Sequence, residues 1–137
     1  MKKLVIVEDD IITQQFYSMF FNKNGYDTLI TDNGDKILET LLTEEVGLIL
    51  MDINLSNTYL NNEKIDGIKL SQIIKSDERF KSIPLVLVTA SSLSNQVRQF
   101  LSDSNAEEVV TKPILDYNRF LNKINNYLAS WQKKIKY

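Results

Sequence analysis

The sequence predicts an α/β fold, a three-layer α/β/α sandwich around a five-stranded parallel sheet, and three observations carry that expectation. First, three short apolar runs each stop at a polar or acidic residue: 4–7 (Leu-Val-Ile-Val) before Glu8, 48–51 (Leu-Ile-Leu-Met) before Asp52, and 85–88 (Leu-Val-Leu-Val) before Thr89. Continuous rather than alternating apolarity is the mark of strands covered on both faces, as in parallel sheets. Second, helix-spaced apolar residues separate these runs, and alternating strands and helices make βαβ crossovers with helices on both sides of the sheet. Third, no repeat, low-complexity tract or Pro/Gly/Ser linker divides the chain, so 1–137 reads as a single domain.

The elements follow in order. Two weaker strands at 28–31 and 108–111 bring the total to five. Ile12, Phe16, Met19 and Phe20 mark a first helix. Ile37, Leu38, Leu41 and Leu42 mark a second after the turn residues Asn33 and Gly34, and Ile68, Leu70, Ile73 and Ile74 a third after Asp66 and Gly67. Leu93, Val97, Phe100 and Leu101 give a fourth. Tyr117, Phe120, Leu121, Ile124, Tyr127, Leu128 and Trp131 form a long final stripe, whose aromatics read as core rather than a cofactor box.

Composition narrows the chemistry. With 137 residues, 43% hydrophobic and 25% charged, the chain is long enough to bury a core without staples. It has neither cysteine nor histidine, which removes disulfides, thiolate sites, the commonest general base and the commonest transition-metal ligand. Oxygen ligands remain, and they suit Mg²⁺. A net charge of −2 argues against a nucleic-acid surface, and the small basic tail at 132–137 (Lys133, Lys134, Lys136) reads as solvated. The apolar run after Met1-Lys2-Lys3 is cut off by Glu8-Asp9-Asp10, too soon for a signal peptide, and no segment approaches the roughly 18 apolar residues of a membrane span, so a cytoplasmic location is expected.

In open α/β sheets the site lies beyond the carboxyl ends of the strands. Those ends carry Glu8, Asp9, Asp52, Thr89 and Lys112. Three converging carboxylates repel by roughly 4 kcal/mol per close pair at an effective dielectric of about 20, so a divalent cation is expected among them, with Lys112 as a second positive group. Asp52 can then serve as a carboxylate nucleophile toward phosphorus, with Thr89 donating a hydrogen bond to a phosphoryl oxygen. Taken singly, each residue has a structural reading; an acid between strand and helix is often an N-cap, and that is the expectation for Asp10.

Taken together, these segments resemble the receiver domain of bacterial two-component response regulators over nearly the whole chain. Residues 4–10 (Leu-Val-Ile-Val-Glu-Asp-Asp) resemble its first strand and acidic pocket, and 48–55 (Leu-Ile-Leu-Met-Asp-Ile-Asn-Leu) its phosphoacceptor strand. Residues 83–90 resemble its fourth strand with the switch hydroxyl, and 106–113, ending Thr-Lys-Pro, its fifth. The resemblance implies the flavodoxin-like, CheY-like strand order 2-1-3-4-5. It implies Asp52 as phosphorylation site, with Mg²⁺ held by Glu8, Asp9, Asp52 and the backbone carbonyl of Asn54. It further implies a phosphoryl contact from Lys112, a cis Lys112–Pro113 bond, and a histidine kinase or histidine phosphotransfer protein as donor. That donor must bring the imidazole this chain lacks.

Three departures stand out. Ser56 replaces the usual Pro four residues after the acceptor, and a long loop at 56–66 delays the Asp66-Gly67 pair, read either as a harmless surface insertion or as altered docking and access. Val109 stands where the family often has an aromatic ring that reports phosphorylation. Asn105 stands where Gly is usual and tolerates the same left-handed backbone. Asn54, with Ser91 nearby, is a candidate to orient a hydrolytic water.

The function expected is that of a stand-alone response regulator that catalyses only its own phosphorylation and dephosphorylation and signals through protein contacts. An unphosphorylated receiver-like adaptor is the alternative. A phosphohydrolase is disfavoured because Asn54 cannot protonate a leaving group.

Overall fold

The computed structural model describes residues 2–135, with side chains as far as residue 129; the Trp131 side chain, expected in the core, and those of the basic tail lie outside the described residues. The elements are β1 (Lys3–Val7), α1 (Ile11–Lys23), β2 (Thr28–Thr31), α2 (Gly34–Thr43), β3 (Val46–Asp52), β4 (Tyr59–Leu60), β5 (Glu63–Lys64), α3 (Gly67–Ser76), β6 (Leu85–Thr89), α4 (Ser94–Ser104), β7 (Glu108–Thr111) and α5 (Tyr117–Ile135).

The three continuous apolar runs form β1, β3 and β6, and the sheet order is β2-β1-β3-β6-β7, with all four pairings parallel. With the small ribbon β4-β5 set aside, this is the expected order 2-1-3-4-5. The strands that read weakly, β2 and β7, are the two edges and are only half-buried, so burial puts less pressure on their sequences.

Alternate residues serve opposite faces. Val5, Val7, Ile49, Met51, Leu85 and Leu87 pack with Ile37 and Leu41 of α2 and Leu70 and Ile74 of α3. Leu4, Ile6, Leu48, Leu50, Val86 and Val88 pack with Tyr17 and Phe21 of α1 and Phe120 and Ile124 of α5. Each such large apolar side chain contributes roughly 1.5–3 kcal/mol by leaving water.

Four helices start on side-chain caps: Asp10, Asn33, Asp66 and Asp116 accept from the N–H groups of Thr13 (2.9 Å), Lys36 (3.0 Å), Lys69 (2.8 Å) and Arg119 (3.0 Å). Asp10 is therefore the structural acid expected. Asn105 ends α4 at φ 61°, in the left-handed region, as its residue type allows.

In α1 the periodic residues mark the helix but not its inner face. Tyr17 and Phe21 are buried, whereas Ile12 and Met19 are 77% and 74% exposed. Tyr117 of α5, expected in the core, is also exposed and packs at a tilt against Phe16 and Phe20, at 5.8 and 5.3 Å between ring centroids.

The 56–66 segment is ordered rather than an open loop. β4 and β5 pair antiparallel through Asn61 and Asn62, at φ 51° and 67°. Positive φ at both central residues is the geometry of the tight hairpin turn that matches strand twist, and Asn tolerates it. The ribbon sits on the start of α2. The Asn61 N–H donates to Asp35 Oδ1 at 3.2 Å, and a methyl group added to Gly34 would lie 2.6 Å from the Tyr59 carbonyl oxygen. Leu55, Thr58 and Ile65 are buried beneath it, and the Ile65 N–H donates to the Thr58 carbonyl at 2.9 Å.

The chain then returns to the sheet at Gly67. Its N–H donates to the Ile53 carbonyl at 3.2 Å, and an added methyl would lie 2.2 Å from the Asp52 carbonyl oxygen. Only glycine fits that close approach. Insertion of the ribbon therefore leaves the backbone behind Asp52 tightly packed.

Candidate functional site

Register brings the strand ends together. Val7 pairs with Met51, Asp52 with Val88, and Thr89 with Thr111, so Glu8, Asp9, Asp52, Thr89 and Lys112 converge on one edge. One carboxylate oxygen from each of Glu8, Asp9 and Asp52 lies within 4.8 Å of the others.

Glu8 is buried at the end of β1. Its Oε2 accepts from the N–H groups of Asp9 (3.0 Å) and Asp10 (3.2 Å), and its Oε1 accepts from Lys112 Nζ at 3.3 Å. Gln14 of α1 donates to the Glu8 carbonyl at 2.6 Å, which fixes the strand end from the helix side. Burial, reinforced by the neighbouring Asp52, pushes the Glu8 carboxyl up to about 7.

Asp52 is likewise buried. Its Oδ1 accepts the Asn54 N–H at 3.1 Å and its Oδ2 accepts from Lys112 Nζ at 3.3 Å. Burial works against the charge on Lys112, but Asp52 and Glu8 outweigh it and hold the ammonium above its ordinary value. The Lys112 N–H donates to the Thr89 carbonyl at 2.7 Å, and the Lys112–Pro113 bond is cis.

Thr89 is buried at the end of β6, where its Oγ1 accepts the Ser91 N–H at 3.1 Å, leaving the hydroxyl hydrogen able to donate. Ser91 also hydrogen-bonds Gln96 at the start of α4. Asn54 is exposed at the mouth, next to Asp52. Val109 pairs with Leu87 and packs, half-buried, against the core on the α2–α3 side.

Asp9 is held differently. Its Oδ2 accepts three hydrogen bonds, from the Ser56 N–H (2.5 Å), the Ser56 hydroxyl (3.0 Å) and the Asn57 N–H (3.0 Å). Burial raises this carboxyl, but these donors outweigh it and bring it below its ordinary value. Ser56 was visible in the sequence as a departure from Pro. Its contact with Asp9 was not, because nothing local links positions 47 apart.

The arrangement provides an all-oxygen donor set, a partly neutralised carboxylate and a fixed ammonium, and the donor set suits a hard divalent ion such as Mg²⁺. The sequence matches the model of the response regulator receiver domain over residues 4–125. Among curated proteins it is 28% identical, over 93% of this chain and 97% of the relative, to the polar-differentiation response regulator DivK of Brucella anthropi. Among solved structures, the receiver domain protein (CheY-like) of Methanospirillum hungatei aligns with a TM-score of 0.76 at 21% identity, over 98% of both chains. The receiver domain of a Pseudomonas aeruginosa sensor histidine kinase, described with a magnesium ion coordinated in its active-site cleft, aligns with a TM-score of 0.76 at 18% identity, over 93% of this chain and 98% of its own. The chain belongs to the response regulator receiver domain family.

Proposed function

We propose that this protein is a stand-alone cytoplasmic response regulator that accepts a phosphoryl group on Asp52 from a histidine kinase or histidine phosphotransfer protein and signals through protein contacts. The observation that carries the reading is the convergence of three carboxylates with Lys112 at one sheet edge. Near full-length similarity to a response regulator of comparable size supports it.

In this reading Glu8, Asp9, Asp52 and the Asn54 carbonyl hold Mg²⁺, which when bound supplies positive charge to offset that of the phosphoryl oxygens. An Asp52 oxygen displaces the donor imidazole nitrogen at phosphorus, so an acyl phosphate P–O bond replaces a P–N bond. Lys112, already within reach of Asp52, neutralises a phosphoryl oxygen, and Thr89 donates its hydroxyl hydrogen to another. Asn54, with Ser91 nearby, orients water for release of the group. No other substrate is turned over.

Two surfaces suit the protein contacts. Ile11, Ile12 and Phe16 of α1, with Leu115 and Tyr117 beyond Lys112, expose apolar area beside the acidic pocket, where a donor must dock. On the output side, α4 is pinned at its C-terminal end, where Ser71 donates to the Ser104 carbonyl (2.9 Å) and Gln72 to the Asp103 carbonyl (2.7 Å). Its N-terminal end, beside Thr89 and Ser91, has no side-chain cap, and Leu93 there is 58% exposed. A helix pinned at one end, and joined at the other to the segment after Thr89 through the Ser91–Gln96 hydrogen bond, can answer a changed hydrogen bond at Thr89 by moving that other end. Val109 offers no ring to swing inward, so the response rests on this segment.

The test is incubation with Mg²⁺ and acetyl phosphate followed by intact-mass measurement. Wild type gains one phosphoryl mass, and Asp52→Asn gains none. An unmodified wild type, with acetyl phosphate and with phosphorylated donor protein alike, would leave the unphosphorylated adaptor as the reading.

A further inference from the structure

The insertion begins on a metal-site residue. Asp9 Oδ2 takes both Ser56 donors and the Asn57 N–H, and three hydrogen bonds on one oxygen fix the orientation of the whole carboxylate. We propose that Ser56 and Asn57 are positioning residues for Asp9, holding its carboxylate in the orientation that binds Mg²⁺, and that the insertion is thereby built into the metal site. This rests on the reading of Glu8, Asp9 and Asp52 as the metal site.

The clamp is rigid for reasons on both sides of it. Leu55 before it and Thr58 after it are buried, the latter completely. The Thr58 carbonyl takes the Ile65 N–H, which closes the base of the β4–β5 ribbon, and the ribbon tip is fixed to Asp35 of α2. Two of the three donors exist only because position 56 is not proline: a Pro there has neither N–H nor hydroxyl. A free carboxylate must lose rotational freedom when it binds a cation, whereas this one is already oriented. Hydrogen-bond partners of metal ligands change affinity by about 10–100-fold when removed.

A purely structural role would run the other way, with Asp9 serving only to tether the insertion. The two separate in Mg²⁺ affinity, measured by titration calorimetry and by the Mg²⁺ dependence of the thermal unfolding midpoint. Ser56→Pro removes two donors and weakens Mg²⁺ binding by about tenfold. Ser56→Ala removes only the hydroxyl and weakens it less, and Ser56→Thr, which keeps both donors, stays near wild type. Unchanged or tighter binding in Ser56→Ala and Ser56→Pro overturns the proposal, whatever happens to metal-free stability. If Ser56→Pro does not fold, Ser56→Ala against Ser56→Thr decides alone. Absence of Mg²⁺ binding in wild type overturns the metal assignment itself, and that outcome is read before any variant is compared.

Discussion

Glu8 and Lys112, 104 positions apart in the chain, meet at 3.3 Å between Oε1 and Nζ, and Lys112 makes the same 3.3 Å contact to Asp52. One ammonium thus serves two buried acids. That leaves a local excess of negative charge, and its consequence falls on Glu8, whose carboxyl is raised from 4.5 to about 7 by burial first and by Asp52 second.

The pH dependence follows from that shift. Between about pH 4.5 and about pH 7 the folded protein keeps a proton on Glu8 that the unfolded chain has released, so the folded state binds more protons and stability falls as pH rises. Below this window the contribution is fully present; above it the contribution is lost. Asp9 is shifted the opposite way, and its effect is confined to more acid conditions. Urea midpoints of metal-free protein are therefore expected to decline across this window. Saturating Mg²⁺ abolishes the decline, because the ion replaces the proton as the neutralising charge, and Glu8→Gln lacks it. A midpoint that rises across the window in metal-free wild type contradicts this account of Glu8.

Thr58 carries a different liability. It is fully buried within the insertion, and its Oγ1 has no hydrogen-bond partner among the described residues. A buried hydroxyl without a partner costs about 1–3 kcal/mol, so Thr58→Val, which keeps the branched shape, is expected to raise stability by about 1 kcal/mol. Equilibrium urea unfolding measures it; a loss of stability would mean that the hydroxyl is satisfied in solution.

Gly34 tests the seating of the ribbon. At the first turn of a helix, Gly→Ala ordinarily stabilises by up to about 1 kcal/mol. Here the added methyl would meet the Tyr59 carbonyl at 2.6 Å, and backbone cannot yield as a flexible side chain does. Gly34→Ala is expected to lower stability by about 1–2 kcal/mol and to shift amide resonances of the ribbon while leaving those of α5 in place. A stabilised variant would place the ribbon off α2.

What the sequence made legible divides along physical lines. The central strands were clear because burial on both faces forces every residue of 48–51 to be apolar. The caps at Asp10, Asn33 and Asp66 sit next to the helices they serve, so residue type alone was enough. The ribbon was missed because two-residue strands are too short to show alternation, and Asn61-Asn62 is a weaker hairpin signal than Asn-Gly. In α1 the wrong face was prominent: Ile12, Phe16 and Met19 are exposed, and the buried Tyr17 and Phe21 are the less conspicuous pair. The acids of the site were legible because they end strands. The Ser56–Asp9 contact was not, since it depends on the path of a segment with no regular pattern.

The central claim is that Asp52, among the three converging acids, is the one that takes phosphorus, and that it does so with a divalent ion. The most direct measurement is to phosphorylate the protein with acetyl phosphate, reduce with borohydride, which converts an aspartyl phosphate to homoserine, and map the product by peptide mass spectrometry. The account predicts homoserine at position 52, formed with Mg²⁺ and lost when the metal is chelated. Homoserine at position 9, at another aspartate, or in equal yield without metal would contradict it.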